Sequence, residues 1–600
     1  MTGPRETSSL ESSCLRPPAN DDRLPSGFLG RYRALWLIMV PIVTLLCGAL
    51  VRIWVAEDAF ITFRSVESVW QGYGPVYNRG IRVESFSHPL WFLTLCALRM
   101  FGSANLAPLS AAVGIICSIA GLGLAARAAW SRCETGLRLF PLGALAIASL
   151  PPFWDFASSG LETGMTFLWI GWCSYALTRC QGSRRRIMGA SSLIGLGPLI
   201  RPDFAVISIC LLLALLLVPK ASGATRLKAL LVAIGPGVVW QVFRMGYYAA
   251  IVPTTFLAKE SFRPLWWRGY LYVEDFSQTY NLEWIFLLGA LALLGRSSRF
   301  VSKTIPSGDV ITKLGHDRII AALCVGGALH ILSVWRVGGD FMHARLLLPG
   351  VFAMLSSFAI VPLPRAAAPR VMIIAGALAW FGWVAVCART PYGFYASSTG
   401  ISNERLWHVL RADDKRPVTV KGYGEHSFVR AAQELRQKTE SEGYRAVFVP
   451  NIGIPASQLT TDVVVIDSLG LNDYIGARMR LTRYGRPGHE KNIPSAWFLA
   501  RYPAPEGYIS PMQTSRVSAR LPSTEGLSSA RRALESPSLV ELRDAVTAPM
   551  TLGRFVNNIR LAWSLTFLRI PSDPEVAERE MYAHTSLNIE PTRVPSLFPE

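Results

Sequence analysis

Of the chain's 600 residues, 51% are hydrophobic and 17% charged, and the formal net charge is +19. This is the balance of a polytopic membrane protein, and the positive excess sits in short clusters between apolar segments, where basic residues anchor cytoplasmic loops. Nucleic acid is therefore not an implied partner. The ten cysteines lie in or beside apolar segments, apart from Cys14, and none follows Cys387, so a domain beyond that point must be held by its own core and not by disulfides.

Residues 1–30, rich in Ser, Pro, Asp and Arg, read as a disordered cytoplasmic tail. The segment 34–55 is long for a signal-peptide core and ends without a good cleavage site, so it reads as a signal anchor. About 11 crossings are then expected, at 34–55, 105–129, 139–154, 161–179, 187–200, 203–219, 229–248, 282–295, 319–336, 344–363 and 371–388. Threaded in this way, Arg31/Arg33, Arg127/Arg132/Arg138, Arg184/Arg185/Arg186, Lys220/Arg226/Lys228, Arg296/Arg299/Lys303 and Arg365/Arg370 share the inner side. Glu57/Asp58, Asp155/Glu162, Arg201/Asp203, Arg244/Lys259 and Asp340/His343/Arg345 share the outer one. The transmembrane module is thus 31–388, with a first outer loop at 56–88, and 389–600 is an extracytoplasmic soluble domain. In that domain, strands are expected at 445–450 (RAVFVP) and 461–467 (TDVVVID) and helices at 427–439 and 539–546, which makes it mixed α/β.

Chemistry concentrates in the outer loops. Glu57 and Asp58 open the segment EDAFITFR, and adjacent carboxylates can hold a divalent ion (Mg, Mn or Ca) or divide acid and base roles, because repulsion separates their pKa values. The same pair could equally end a membrane helix in water. The stretch to Pro89 adds Arg64, Glu67, Tyr73, Asn78, Arg82, Glu84 and His88, more than a simple connection needs. In DFASSGLETG (155–164), glycines surround Glu162; in Arg201-Pro202-Asp203, a cation and an acid sit near membrane depth, where charge is expensive; in GGDFMHAR (338–345), Asp340, His343 and Arg345 follow a glycine pair. Arg244 and Lys259, set among Tyr247 and Tyr248, suit a lipid-linked phosphate arriving laterally, although an interfacial aromatic belt with snorkelling cations has the same composition. Walker, dinucleotide, HExxH and zinc-type Cys patterns are absent from the sequence.

The order of EDAFITFR, GPVYNRGIRVE (74–84), DFASSGLETG, RPDFA, FRMGYY with VPTTFLAK, GGDFMHARLLLP and RYGRPGHEKN (483–492) resembles the terminal β-1,2-arabinofuranosyltransferases of actinobacterial cell walls, from about residue 50 to about 560. The resemblance implies a GT-C fold in the inner membrane, a decaprenyl-phosphate (polyprenyl-phosphate) sugar donor, a polysaccharide acceptor such as arabinan, and a β-linked product, hence net retention. That family's acidic pair, usually two aspartates, maps onto Glu57 and Asp58, with Asp58 the position that keeps the family residue. On this reading Asp58 and Glu57 are catalytic, Arg244, Arg345, Arg201 and Lys259 bind the donor phosphate, and Glu162, Asp203, Asp340, His343 and His489 support them, with Lys491 beside His489. Two other readings use the same scaffold. A lipid-sugar transporter should string polar groups across the bilayer, whereas here they gather at one face. A non-enzymatic envelope or motility-associated protein could dispense with the acidic motif, which is present here.

Overall fold

The computed structural model describes residues 28–583 except 101–104, 134–136, 181–182, 219–220, 299–306, 394 and 511–521. Nearly all of the tail expected at 1–30, together with Cys14 and Lys220, lies outside the described residues. Up to Val386 the chain is helical: α1 (Phe28–Val51), α2 (Glu57–Trp70), α3 (Pro89–Arg99), α4 (Leu106–Ser131), α5 (Leu142–Ser149), α6 (Pro151–Ala157), α7 (Thr163–Thr178), α8 (Arg184–Gly195), α9 (Gly197–Ile200), α10 (Ala205–Leu216), α11 (Gly223–Tyr248), α12 (Thr254–Ala258), α13 (Trp266–Tyr280), α14 (Leu282–Ser298), α15 (Ser307–Arg336), α16 (Leu348–Ser357) and α17 (Ala367–Val386).

Among the described residues, four helical stretches are long and apolar enough to cross a membrane: Leu106–Ser131, Gly223–Tyr248, Gly315–Arg336 and Ala367–Val386. The eleven crossings expected from hydropathy are therefore not eleven long helices. The segment 139–154 breaks at Leu150, which is extended ahead of Pro151 and Pro152; 187–200 breaks at Leu196 ahead of Gly197-Pro198. Proline starts a helix readily but costs a hydrogen bond in its interior, and although Pro41 and Pro236 are carried inside α1 and α11, these two apolar runs each become two short helices. Helix α16 has only 10 residues, about 15 Å of rise. Broken helices survive at membrane depth only inside protein, and α5, α6 and α16 are almost wholly buried.

Glycines set the closest helix contacts. A Cβ at Gly164 would strike the backbone of Gly114, one at Gly121 that of Phe167 and one at Gly171 that of Gly121, so α4 and α7 pack nearly backbone to backbone, as small residues permit. By contrast, α11 and α17 turn most of their apolar side chains outward, among them Leu231, Val239, Met372 and Val386. Lipid accounts for such faces.

The C-terminal part contains a three-stranded parallel sheet of β1 (Ala446–Val449), β2 (Val464–Asp467) and β3 (Gly507–Ile509), in the order β2-β1-β3, with Ala446 opposite both Val464 and Gly507. The central strand is buried throughout, as a strand covered on both faces must be. Helices Ser427–Glu440 and Pro537–Thr547 form where expected.

Much of the loop at 56–88 serves to dock this domain. The Arg64 guanidinium donates to the carbonyls of Ala456, Leu459, Thr460 and Val463 at 2.8–3.3 Å. Asn78 exchanges two hydrogen bonds with the backbone of Val465 (2.8 and 2.9 Å), and Tyr77 donates its hydroxyl to the Ile452 carbonyl at 2.5 Å. Arg82 donates to the Ala545 carbonyl at 3.0 Å. The density of functional groups that marked this loop in the sequence is in good part an interdomain interface.

Candidate active site

Helix α2 starts where three distant segments meet. Val55 N–H donates to the Pro417 carbonyl at 3.0 Å, Ala56 N–H to the Ser159 carbonyl at 2.9 Å, and the Tyr423 hydroxyl to the Val55 carbonyl. Gly160, at φ +76°, turns the chain beneath, where a Cβ would press on Ala59 and Val55. Glu57 and Asp58 form the first turn of α2, where the helix dipole favours negative charge.

The two acids meet different surroundings. The Glu57 carboxylate is buried and accepts the Gly453 N–H at 2.7 Å. Burial and the neighbouring Asp58 charge push its pKa well above the ordinary carboxylate value, against the pull of that hydrogen bond. Asp58 keeps 29% of its side chain exposed and lies 3.5 Å from Arg345 Nη1. Burial raises its pKa, and the charges of Arg345 and Lys259 offset only part of the rise.

Arg345 is the hub. Its Nη2 lies 3.5 Å from Glu162 and its Nη1 3.9 Å from Asp340, while its buried Nε has no hydrogen-bond partner among the described residues. Lys259 stands 3.7 Å from Asp340 Oδ1. These are long contacts, so both cations retain donors for an anion. Arg201 is more fully engaged: it donates to Glu162 at 2.9 Å and to Asp203 at 3.0 Å. His88 accompanies Glu162 at 3.6 Å, and burial lowers its pKa to about 4. His330, on α15, closes the ring at 3.8 Å from Asp203.

Sequence elements separated by hundreds of residues thus assemble Asp58, Glu57, Glu162, Arg201, Asp203, Lys259, Asp340 and Arg345 into one cluster. Four other candidates stand differently. Arg244 is buried against Glu84 (Nε to Oε2 2.5 Å, Nη2 to Oε1 3.2 Å) and also donates to Gln241, so its fork is spent on an internal ion pair and no described contact joins it to Arg345. His343 turns its Nδ1 toward Asp275 at 2.6 Å, with the Tyr392 hydroxyl 3.1 Å away. His489 packs its ring edge-on against Phe341, centroids 4.6 Å apart, and Lys491 is buried, donating to the Ala477 and Leu257 carbonyls and pairing with Glu260 at 3.0 Å.

Glu404 stands outside every motif and Arg486, though within RYGRPGHEKN, is not among the expected site residues, yet both belong here. Ser402 N–H donates to the Phe341 carbonyl at 2.7 Å and the Ser402 carbonyl accepts from His343 N–H at 3.0 Å, which stitches 400–404 to the 338–345 loop. Glu404 then accepts from Ser402 Oγ at 3.2 Å and faces His408 at 3.1 Å, while Arg486 donates to Ser402 Oγ at 2.9 Å and lies over the Phe341 ring. Burial would raise the Glu404 pKa, but the His408 contact and nearby positive charge hold it below the ordinary value. Only chain proximity in space reveals these two.

Among the described residues no three His, Cys, Asp or Glu side chains converge as a metal cage. Asp58 and Glu57 fit the sparser pattern of one or two carboxylates with the remaining ligands from phosphate and water, since Asp58 is partly exposed and Glu57 adjoins it in the first turn of α2.

Apolar helices of spanning length, a cluster of acids and guanidinium groups and a C-terminal α/β domain together define a membrane protein with a polar site. Residues 418–579 match the AftB family C-terminal domain. Across 620 aligned positions the chain is 29% identical to the terminal beta-(1->2)-arabinofuranosyltransferase of Mycobacterium tuberculosis, covering 90% of this chain and 96% of that one. The protein of the same name from Corynebacterium glutamicum is 29% identical over 593 positions, 87% of this chain and 84% of its own. The resemblance carried by the ordered motifs therefore extends along nearly the whole chain. No solved structure matches the chain.

Proposed function

We propose that this protein transfers an arabinofuranosyl residue from a polyprenyl-phosphate donor to a cell-envelope polysaccharide, as a GT-C enzyme of the cytoplasmic membrane whose C-terminal domain faces outward. The observation that carries the reading is a partly exposed carboxylate, Asp58, 3.5 Å from Arg345, whose Nε has no hydrogen-bond partner among the described residues, with the charge of Lys259 also acting on it. Departure of the polyprenyl phosphate builds charge on its oxygens as an oxocarbenium-like sugar forms. Arg345 and Lys259 stabilise that charge without reorganising, because Asp340 and Glu162 already hold them in place.

Asp58 acts on the sugar side, as base toward the acceptor hydroxyl or as nucleophile at the anomeric carbon. The net retention implied by the resemblance favours the nucleophile role, in which the carboxylate displaces the polyprenyl phosphate and the acceptor hydroxyl then displaces the carboxylate, since a single base-assisted displacement inverts the anomeric carbon. Glu57, buried and with a raised pKa, positions the Asp58 turn against Gly453. A divalent ion held by Asp58 and Glu57 would add Lewis-acid stabilisation of the leaving phosphate. The test is incubation of the purified protein with synthetic polyprenyl-phosphoryl-arabinofuranose and arabinan oligosaccharides. A product longer by one pentose supports the reading, and failure to extend any acceptor by well-folded protein sinks it.

A further inference from the structure

We infer that helix Leu552–Phe567 of the C-terminal domain lies in the membrane–water interface, seating that domain on the bilayer. The helix is two-faced. Asn558, Ala562, Leu565 and Thr566 are buried, whereas Leu552, Val556 and Trp563 are 81%, 43% and 67% exposed and, with Arg560, recur at helical spacing along the opposite side. A soluble domain rarely leaves such a stripe uncovered. Apolar and aromatic groups beside arginine are what an interfacial helix presents to lipid.

The page also fixes the level at which the helix sits. It meets the C-terminal end of α11, a helix of spanning length: Asn558 donates to the Gly246 carbonyl at 3.0 Å, and a Cβ at Gly246 would strike the Phe555 ring. The exposed face therefore continues from the outward apolar face of α11, where Val238, Val239 and Val242 are exposed. Aromatic rings extend the same level sideways. Trp563 contacts Phe567 (centroids 4.8 Å), Phe567 contacts Phe262 (5.2 Å), and the Phe262 carbonyl accepts from Arg336 at the end of a second spanning stretch, Gly315–Arg336. Exposed Trp266 and Trp267 follow directly. The ends of two crossings and a belt of aromatic side chains thus coincide with this helix, and aromatic belts mark the headgroup level. The occupant is the lipid leaflet on that side.

The experiment uses the full chain in nanodiscs of phosphatidylcholine with phosphatidylglycerol, carrying benzoylphenylalanine in place of Leu552, Val556 or Trp563. Val239 on α11 serves as the lipid-facing control, and Gln437, on the charged exposed face of helix Ser427–Glu440, as the aqueous one. Illumination should give lipid adducts by mass spectrometry at 552, 556, 563 and 239, and none at 437. Adducts at 239 without any at 552, 556 and 563 overturn the proposal, as do protein adducts at those three positions, which would mean that a second copy or another protein covers the face.

Discussion

The carboxylate of Glu57, at the start of α2, accepts the backbone N–H of Gly453, 396 residues further along the chain, at 2.7 Å. A Cβ on Gly453 would run into both the backbone oxygen and the carboxylate of Glu57. The C-terminal domain therefore touches the residue beside the candidate catalytic acid, and the two halves of the chain complete one site.

That contact predicts that Gly453→Ala destabilises the protein by about 1–3 kcal/mol, the usual cost of overpacking, and lowers transfer activity by displacing Asp58. Glu57→Gln keeps an acceptor for the Gly453 N–H and should retain the native melting temperature. Thermal unfolding in detergent alongside transfer assays separates the two, and a native-like Gly453→Ala enzyme would remove the proposed link between domain contact and catalysis.

Asp58→Asn removes a charge at nearly constant volume from a partly exposed position. It should leave folding intact and reduce turnover ~10²–10⁴-fold. Near-normal turnover by folded Asp58→Asn would shift the catalytic role to another group, with Glu57 the first to test.

Arg345 and Arg244 should separate cleanly. Arg345→Lys keeps the charge but loses the fork, and donor use should weaken by about 1.5–3 kcal/mol, one to two decades, with acceptor dependence unchanged. Arg244→Met instead strands buried Glu84, at a cost of about 3–5 kcal/mol in stability. Kinetics with donor and acceptor varied separately, together with melting curves, test both. A donor defect in a stable Arg244→Met protein would return Arg244 to the phosphate site.

His88 gives a pH dependence. Its pKa is depressed to about 4, first by burial and then by Arg345 and Arg201, against the pull of Glu162. Below about 6.5 the unfolded chain takes up a proton at this position that the folded protein refuses. Its contribution to stability is present above that value and fades as pH falls from about 6.5 toward 4. His88→Gln should flatten the melting temperature over this window relative to the parent. An unchanged slope would place the titration elsewhere.

Topology follows from the basic clusters. Reporters fused at Ala221 and at Ser397 should report opposite compartments. Both in one compartment would contradict an outward-facing site.

The sequence determined the membrane character, the strands at 446–449 and 464–467 and the resemblance to the arabinofuranosyltransferases, and it offered Asp58, Arg345, Lys259, Glu162 and Arg201 as candidates that the fold gathers into one cluster, because apolar runs and charges at membrane depth are written locally. Hydropathy could not show where apolar runs break, since a proline pair at 151–152 or a ten-residue helix at 348–357 is as apolar as a spanning one. Nor could it assign partners. Arg244 and Arg345 look alike in sequence, but Glu84 neutralises one while the other keeps an unpartnered Nε among long contacts. Arg64 and Asn78 looked chemical and prove to be docking groups, whereas Glu404, outside every motif, lies beside the site with Arg486. Residue type fixes what a side chain can do, but its free hydrogen-bonding capacity and its burial depend on neighbours that only the tertiary fold brings within 4 Å of it.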